Sequence, residues 1–259
     1  MSAEAILELE RVSKHFGGLS VVEDLSLAVR RGSRTALIGP NGAGKTTVFN
    51  LISGVLPIDA GAIRMNGADI SRVASRERIG LGIARTFQNV RLMPHLSTLE
   101  NVIVGQHSRN AGWRGVLHPV NLSRRNRWRE EARAALAQAG IADYADASVG
   151  NLPYGVQKRI ELGRAIVAEP RFLLLDEPLA GMTVEDKAEM SEFIRSIRRR
   201  LDATIVLIEH DIGLVMSLSD RVAVLDYGRK IAEGAPAEVQ ADQAVIDAYL
   251  GVPHAGEEA

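Results

Sequence analysis

The sequence predicts an α/β protein: a core of buried strands, an antiparallel β segment ahead of it, and a block of helices inserted into it. Three observations carry that expectation. Mainly apolar, strand-length runs such as FLLLD (172–176) and TIVLIE (204–209) suit buried strands of a sheet. The first third alternates apolar and polar residues with a period of two. From about 90 to 168 the pattern becomes helical, with glycine and proline at its stops.

In chain order, ILELE (6–10) and VVEDLSLAV (21–29) read as partly exposed antiparallel strands. TALIG (35–39) is a buried strand feeding a glycine-rich turn and the helical KTTVFNLISG. GAIRMNGADI (61–70) has Asn66-Gly67 at its turn, a hairpin signal because both positions need positive φ. Three helical stretches follow: LSTLENVIVGQ, then RRNRWREEARAALAQAG ending at Gly140, then YGVQKRIELGRAIVAE stopped before Pro170. FLLLDE resumes the core. Next come a helix from about Thr183, capped through Asp186 in a T-x-x-D arrangement, the strand TIVLIE and the strand RVAVLD (221–226). Arg198, Arg199 and Arg200 close the Thr183 helix with positive charge, matching its dipole. Tyr227-Gly228 turns the chain into RKIAEG, a second hairpin. Neither an internal repeat nor a low-complexity linker interrupts this order.

With 259 residues and 46% hydrophobic content the chain can bury a full core, and a soluble globular protein is expected. Its apolar runs fall far short of the roughly 20 residues of a spanning helix. MSAEAILELE carries acids where a secretory signal would carry bases, so no export is expected. The absence of cysteine excludes disulfides and thiolate metal sites. A formal net charge of −1 argues against a general polyanion binder, and no nucleic acid partner is expected. One stretch departs from that balance. Between 109 and 133, Arg109, Arg114, Arg124, Arg125, Arg127, Arg129 and Arg133 outnumber Glu130 and Glu131. This is either a solvated helix face or, with Trp113 and Trp128, a surface near lipid headgroups or a membrane-embedded partner.

GPNGAGKT, residues 39–46, fits G-x-x-x-x-G-K-[ST] in full and sits between an apolar strand and a helix, the context that pattern requires. Gly39, Pro40, Asn41, Gly42, Ala43 and Gly44 form a loop whose N–H groups converge on phosphate oxygens, with a helix N-terminus adding its positive end. Lys45 should reach the β- and γ-phosphates, Thr46 should place its hydroxyl on Mg²⁺, and Thr47 should help hold the α-phosphate side. FLLLDEP delivers Asp176 to the carboxyl edge of the sheet, where ligands bind in open α/β folds. Asp176 can hold Mg²⁺ through water, and Glu177 can orient or polarise the attacking water. His210, ending the next strand, can donate to the γ-phosphate. Gln88, in ARTFQNV, borders core and helical block, where it can touch the metal or the attacking water.

Together these residues resemble the ATP-binding subunit of an ABC transporter, over nearly the whole chain. GPNGAGKTT resembles the Walker A motif, FLLLDE the Walker B, Gln88 the Q-loop residue and His210 the switch histidine. The resemblance implies a P-loop NTPase (RecA-like) core, an N-terminal antiparallel β subdomain and an inserted helical subdomain. As one ABC ATPase domain over 1–259, residues 1–89 and 169–259 would form the nucleotide-binding core and 90–168 the helical part. It also implies that Phe16, in VSKHFGG, stacks on adenine. LAGMT (179–183) corresponds to the D-loop, with Thr183 where the family has aspartate. Finer matches, RTFQNVRLMPHLSTLENVIVGQH (85–107), IEHDIGLVMSLSDRVAVLDYG (208–228) and VIDAYLG (245–251), resemble the first ATPase of high-affinity branched-chain amino acid importers. Some members of that subfamily import urea, amides or aromatic acids, and a non-transport ABC protein is the alternative from another class.

The family's LSGGQ signature corresponds to LPYGV. Leu152 and Gly155 stay in register, while Pro153, Tyr154 and Val156 replace serine, glycine and glutamine, and Gln157 follows. In the family the serine hydroxyl and glycine amides grip the γ-phosphate of ATP on the opposite subunit. A hydrogen bond to a charged phosphate is worth about 1.5–3 kcal/mol, so the proline weakens this clamp. The expectation is a heterodimer with a second ABC ATPase whose signature is intact, working on two membrane permease subunits. A periplasmic or extracellular solute-binding protein would be an indirect partner. ATP and Mg²⁺ are the implied cofactors, and the cytoplasmic face of the cell membrane the implied location.

Overall fold

The computed structural model describes residues 4–88, 90–107 and 122–250. The chain opens with β1 (Ala5–Phe16), β2 (Leu19–Arg30), β3 (Arg34–Ile38), α1 (Lys45–Ile52), β4 (Ala60–Met65), β5 (Ala68–Asp69) and α2 (Ser75–Gly80). It continues through β6 (Ile83–Arg85), α3 (Thr98–His107), α4 (Leu122–Gln138), α5 (Tyr154–Ile166), β7 (Phe172–Asp176) and α6 (Val184–Leu201). It finishes with β8 (Thr204–Ile208), α7 (Ile212–Leu218), β9 (Arg221–Asp226), β10 (Arg229–Gly234), α8 (Pro236–Gln240) and α9 (Gln243–Leu250). Two compact units result: Met1–Arg78 with Thr204–Ala259, and Ile79–Ala203.

In the first unit, β2, β1, β4 and β5 form an antiparallel sheet in that order. Along β2 the inner positions Leu25, Leu27 and Val29 are buried and their neighbours are exposed, as period-two patterning dictates. The other sheet portion has β3 between β8 and β9, parallel to both, with β10 antiparallel to β9. Every residue of β8 is buried, each large aliphatic side chain contributing about 1.5–3 kcal/mol. Arg34 pairs with Asp220 at 2.9 Å, tying the start of β3 to the entry of β9. Both expected tight turns are present, Asn66-Gly67 at φ 50° and 78°, and Tyr227-Gly228 at 42° and 79°.

In the second unit, β6 runs parallel to β7 with Ile83 opposite Phe172. α3, α4 and α5 pack on one another through Leu99, Val102, Ala132, Leu136 and Ile160, all buried. The helical pattern expected to run to Glu169 ends earlier, α5 closing at Ile166. Glu169 adopts φ 51° and donates its N–H to the Ile166 carbonyl, because a residue before proline is driven out of the right-handed helical region. Thr183 caps α6 as its spacing predicts, its hydroxyl accepting the Asp186 N–H. Arg109, Trp113 and Arg114 lie outside the described residues. Arg127 within α4 pairs with Glu131 one turn on.

Candidate active site

The loop between β3 and α1 owes its shape to contacts a side chain would forbid. A Cβ on Gly39 would lie 2.0 Å from the Leu225 carbonyl oxygen, and one on Gly44 2.6 Å from that of Val21. Both have positive φ, 147° and 96°, so only glycine lets the loop turn this tightly against β9 and β2. The Gly228 N–H reaches the Ala43 carbonyl at 3.2 Å, so the β9–β10 turn supports the loop from beneath. Lys45 is 6% exposed and its Nζ donates to the carbonyls of Gly39 and Pro40, both at 2.7 Å. Its ammonium is therefore held at the loop it would serve. Thr46 is exposed and Thr47 half-buried at the start of α1.

At the other end of α1, Arg78 is 2% exposed and donates to the carbonyls of Leu51, Ile52, Ile70, Ser71 and Val73 at 2.7–3.2 Å. Burial pulls its pKa down, and the negative end of α1 compensates the charge. Sequence reasoning missed this residue, since SRERIG looks like an ordinary polar turn.

β3 and β8 are parallel neighbours with Ala36 opposite Leu207, so the loop after β3 and His210 after β8 lie at the same edge. His210 is exposed there, and Asp211 caps α7 by accepting the Leu214 N–H. Phe16 belongs to the antiparallel sheet instead. The residue is 46% exposed at the end of β1, with the Lys14 ammonium 5.5 Å from its ring centroid and Lys14 anchored to Asp59 at 2.7 Å.

In the second unit, Asp176 ends β7 only 3% exposed. Its Oδ2 accepts from Arg85 at 2.8 Å, in an ion pair with side chains 7% and 4% exposed. Nothing in ARTF announces this pair; parallel β6 and β7 create it by setting two chain-distant strands side by side. Glu177 follows at φ 47°, a strained conformation for a residue with a side chain. Its Oε2 accepts from Gln88 Nε2 at 2.9 Å. Gln88 and Glu177 are thus brought together.

Pro153 is the N-cap of α5 and supplies no side-chain cap. Gln157 turns back, its Nε2 donating to the Leu152 carbonyl at 2.8 Å. Tyr154 is 42% exposed, its ring against Gly181 and 5.8 Å from the Lys158 ammonium. Burial, then the nearby Glu161 and Glu177 carboxylates, push its hydroxyl pKa up. Gly155 and Val156 are buried. A Cβ on Gly155 would meet the Asp186 carboxylate at 2.5–2.6 Å. Asp186 is held by Arg159 Nη2 at 3.2 Å and by the Thr183 hydroxyl at 3.1 Å.

Known proteins match this chain over nearly its full length. The family described as ABC transporter matches residues 22–180. The chain belongs to that family. A second family, described as branched-chain amino acid ATP-binding cassette transporter, matches residues 229–255. The cassette is 38% identical over 249 residues to the high-affinity branched-chain amino acid transport ATP-binding protein BraF of Pseudomonas aeruginosa, covering 95% of this chain and 98% of that one. It is also 38% identical over 252 residues to LivG of Salmonella typhimurium, of the same description, covering 96% and 99%. A crystal structure of a nucleotide-free ATP-binding cassette from an ABC transporter matches at TM-score 0.83 and 28% identity, over 95% of this chain and 99% of that one. The fold is therefore the ABC ATPase fold expected from the sequence, and the cassette is an ATPase of this family. Among the described residues no helix is long and apolar enough to cross a membrane.

The residues present fit a magnesium nucleotide. Mg²⁺ takes oxygen donors, with few carboxylates and with waters and phosphates filling its shell. The Thr46 hydroxyl, the Gln88 amide oxygen and the Asp176 carboxylate are donors of that kind. Among the described residues no cluster of three or more His, Cys, Asp or Glu is gathered as an all-protein cage.

Proposed function

We propose that the cassette powers import of branched-chain or related amino acids, as one of two unlike ATPase subunits on a pair of membrane permeases at the cytoplasmic face. The observation that carries this reading is the match over residues 229–255 to the branched-chain cassette family, combined with full-length similarity to BraF and LivG. A solute-binding protein outside the membrane would deliver the substrate. Residues 1–89 and 169–259 would act as the nucleotide-binding core and 90–168 as the helical subdomain carrying the signature.

In this reading Phe16 stacks on adenine, and the loop of residues 39–44 offers its backbone N–H groups, all but that of Pro40, which has none, to the phosphates. Lys45 leaves the Gly39 and Pro40 carbonyls for the β- and γ-phosphates, and Thr47 helps on the α side. Thr46, Asp176 and Gln88 would hold Mg²⁺, which neutralises charge developing on the phosphates when bound. Glu177 orients the attacking water, steadied by Gln88, and His210 donates to the γ-phosphate. Leu152, Pro153, Tyr154, Gly155, Val156 and Gln157 face the ATP of the partner subunit. Two identical copies would give two sites lacking the signature serine, which favours an unlike partner with an intact one.

Affinity purification of the full chain from cells expressing its genomic neighbours tests the reading. Two permease subunits, a second ATPase and ATP hydrolysis stimulated by a binding protein loaded with leucine, isoleucine or valine are expected. Hydrolysis indifferent to those amino acids would refute the substrate assignment.

A further inference from the structure

Lys158, Glu161 and Arg164 are spaced i, i+3 and i+6 on α5 and therefore share one face of that helix. Each holds main chain of the segment around Gln88. Lys158 Nζ donates to the Gln88 carbonyl at 2.8 Å and lies 3.4 Å from the Glu177 carbonyl. Glu161 Oε1 accepts the Phe87 N–H at 3.4 Å, and Arg164 Nη1 donates to the Arg91 carbonyl at 2.6 Å. Arg164 also approaches Glu161 at 4.0 Å. Lys158 is 3% exposed and Glu161 2%. Burial pushes the Glu161 carboxyl up, while Lys158, the Phe87 N–H and Arg164 pull it down.

Charges this deeply buried are costly unless their hydrogen bonds compensate them, and apolar side chains would fill the same space more cheaply. What apolar side chains would not do is fix two separate backbone segments at once. We propose that Lys158, aided by Glu161 and Arg164, is a positioning residue for ATP hydrolysis: its ammonium ties the backbones of Gln88 and Glu177 together so that their side chains meet. The inference rests on the reading of Gln88 and Glu177 given above. Glu177 needs such a tie, because at φ 47° its peptide would otherwise relax and carry the carboxylate off Gln88. The strap also grows from the helix whose first turn is Tyr154–Gln157. A shift of that turn is therefore passed to the Gln88–Glu177 pair along a rigid element of 13 residues.

The test compares Lys158→Met and Lys158→Arg in the full chain assembled with its partner subunits, measuring steady-state hydrolysis and binding of a fluorescent ATP analogue. Lys158→Met keeps the stem and loses the donors, so kcat should fall about tenfold while KM and analogue affinity stay within about twofold. Lys158→Arg, which keeps a cation with several N–H donors, should restore kcat to within about threefold. Wild-type kcat in Lys158→Met, or equal loss of kcat and analogue binding, overturns the strap. Should Lys158→Met fail to fold, the more exposed Arg164→Met carries the test: kcat lower by about threefold at unchanged KM supports the strap, and unchanged kcat overturns it. Absence of hydrolysis by the unaltered assembly overturns the functional reading, and this one with it. Normal hydrolysis there with undiminished turnover in the variants overturns the strap alone.

Discussion

Two helix N-termini in this protein begin from glycine-containing segments, and they are built in opposite ways. Ahead of α1, positive-φ glycines at 39, 42 and 44 curl the backbone, and a buried lysine sits on the loop carbonyls. Ahead of α5, the N-cap is Pro153, with neither N–H nor hydroxyl, and the glycine that follows is buried beside the Asp186 carboxylate. Both ends carry the positive pole of a helix, yet only the first is shaped to surround an anion. The comparison teaches that a helix N-terminus is an opportunity, and that backbone conformation and neighbouring charge decide whether it is taken. Asp186 cannot be read as a clamp residue. It is tied up by Arg159 and Thr183, and it places negative charge next to the surface that would face a triphosphate.

Four substitutions sharpen that contrast. Glu177→Gln keeps the shape and removes the carboxylate, so kcat should fall by about 10²–10⁴-fold with ATP still bound, trapping an ATP-loaded assembly visible by gel filtration. Normal turnover would remove Glu177 from its role. Lys45→Ala acts on binding: affinity for an ATP analogue should weaken about 100-fold, because charge-assisted bonds to phosphate are lost. Calorimetry reads this directly, and unchanged affinity would mean the loop binds without its lysine. Pro153→Ser supplies the missing hydroxyl on the second helix. Purified chain alone should hydrolyse ATP slowly, and this variant about tenfold faster; brisk turnover by the unaltered chain, unmoved by the serine, would remove the need for an unlike partner. The smallest effect belongs to Thr183→Ala, which deletes the α6 cap and leaves the Asp186 carboxylate its ion pair with Arg159. Thermal unfolding should register a loss of about 1 kcal/mol.

The glycine-rich loop was legible because its conformation is specified locally. Eight adjacent residues, 39–46, specify a turn, and the flanking strand and helix follow from short-range periodicity. The hairpin turns at Asn66-Gly67 and Tyr227-Gly228 and the Thr183 cap were legible for the same reason. The end of α5 was misjudged by three residues, from Glu169 to Ile166, because propensity alone does not say where the turn before Pro170 begins. Arg85 against Asp176, Arg78 inside its carbonyl cage, and the Lys158–Glu161–Arg164 face were not legible at all. In sequence they are ordinary charges in polar runs, and their partners lie 91, up to 27, and up to 74 positions away.

By itself, the order of residues determined which groups this protein owns: a lysine behind a glycine loop, an acid pair at the end of an apolar strand, and a proline where α5 begins. Tertiary structure alone decided what those groups face. The ion pair at Asp176, the hydrogen bond from Gln88 to Glu177, and the carboxylate beside Gly155 all depend on bringing distant strands and helices to within about 3 Å, the distance at which hydrogen bonds and buried ion pairs act. Composition and local periodicity carry no information about that proximity.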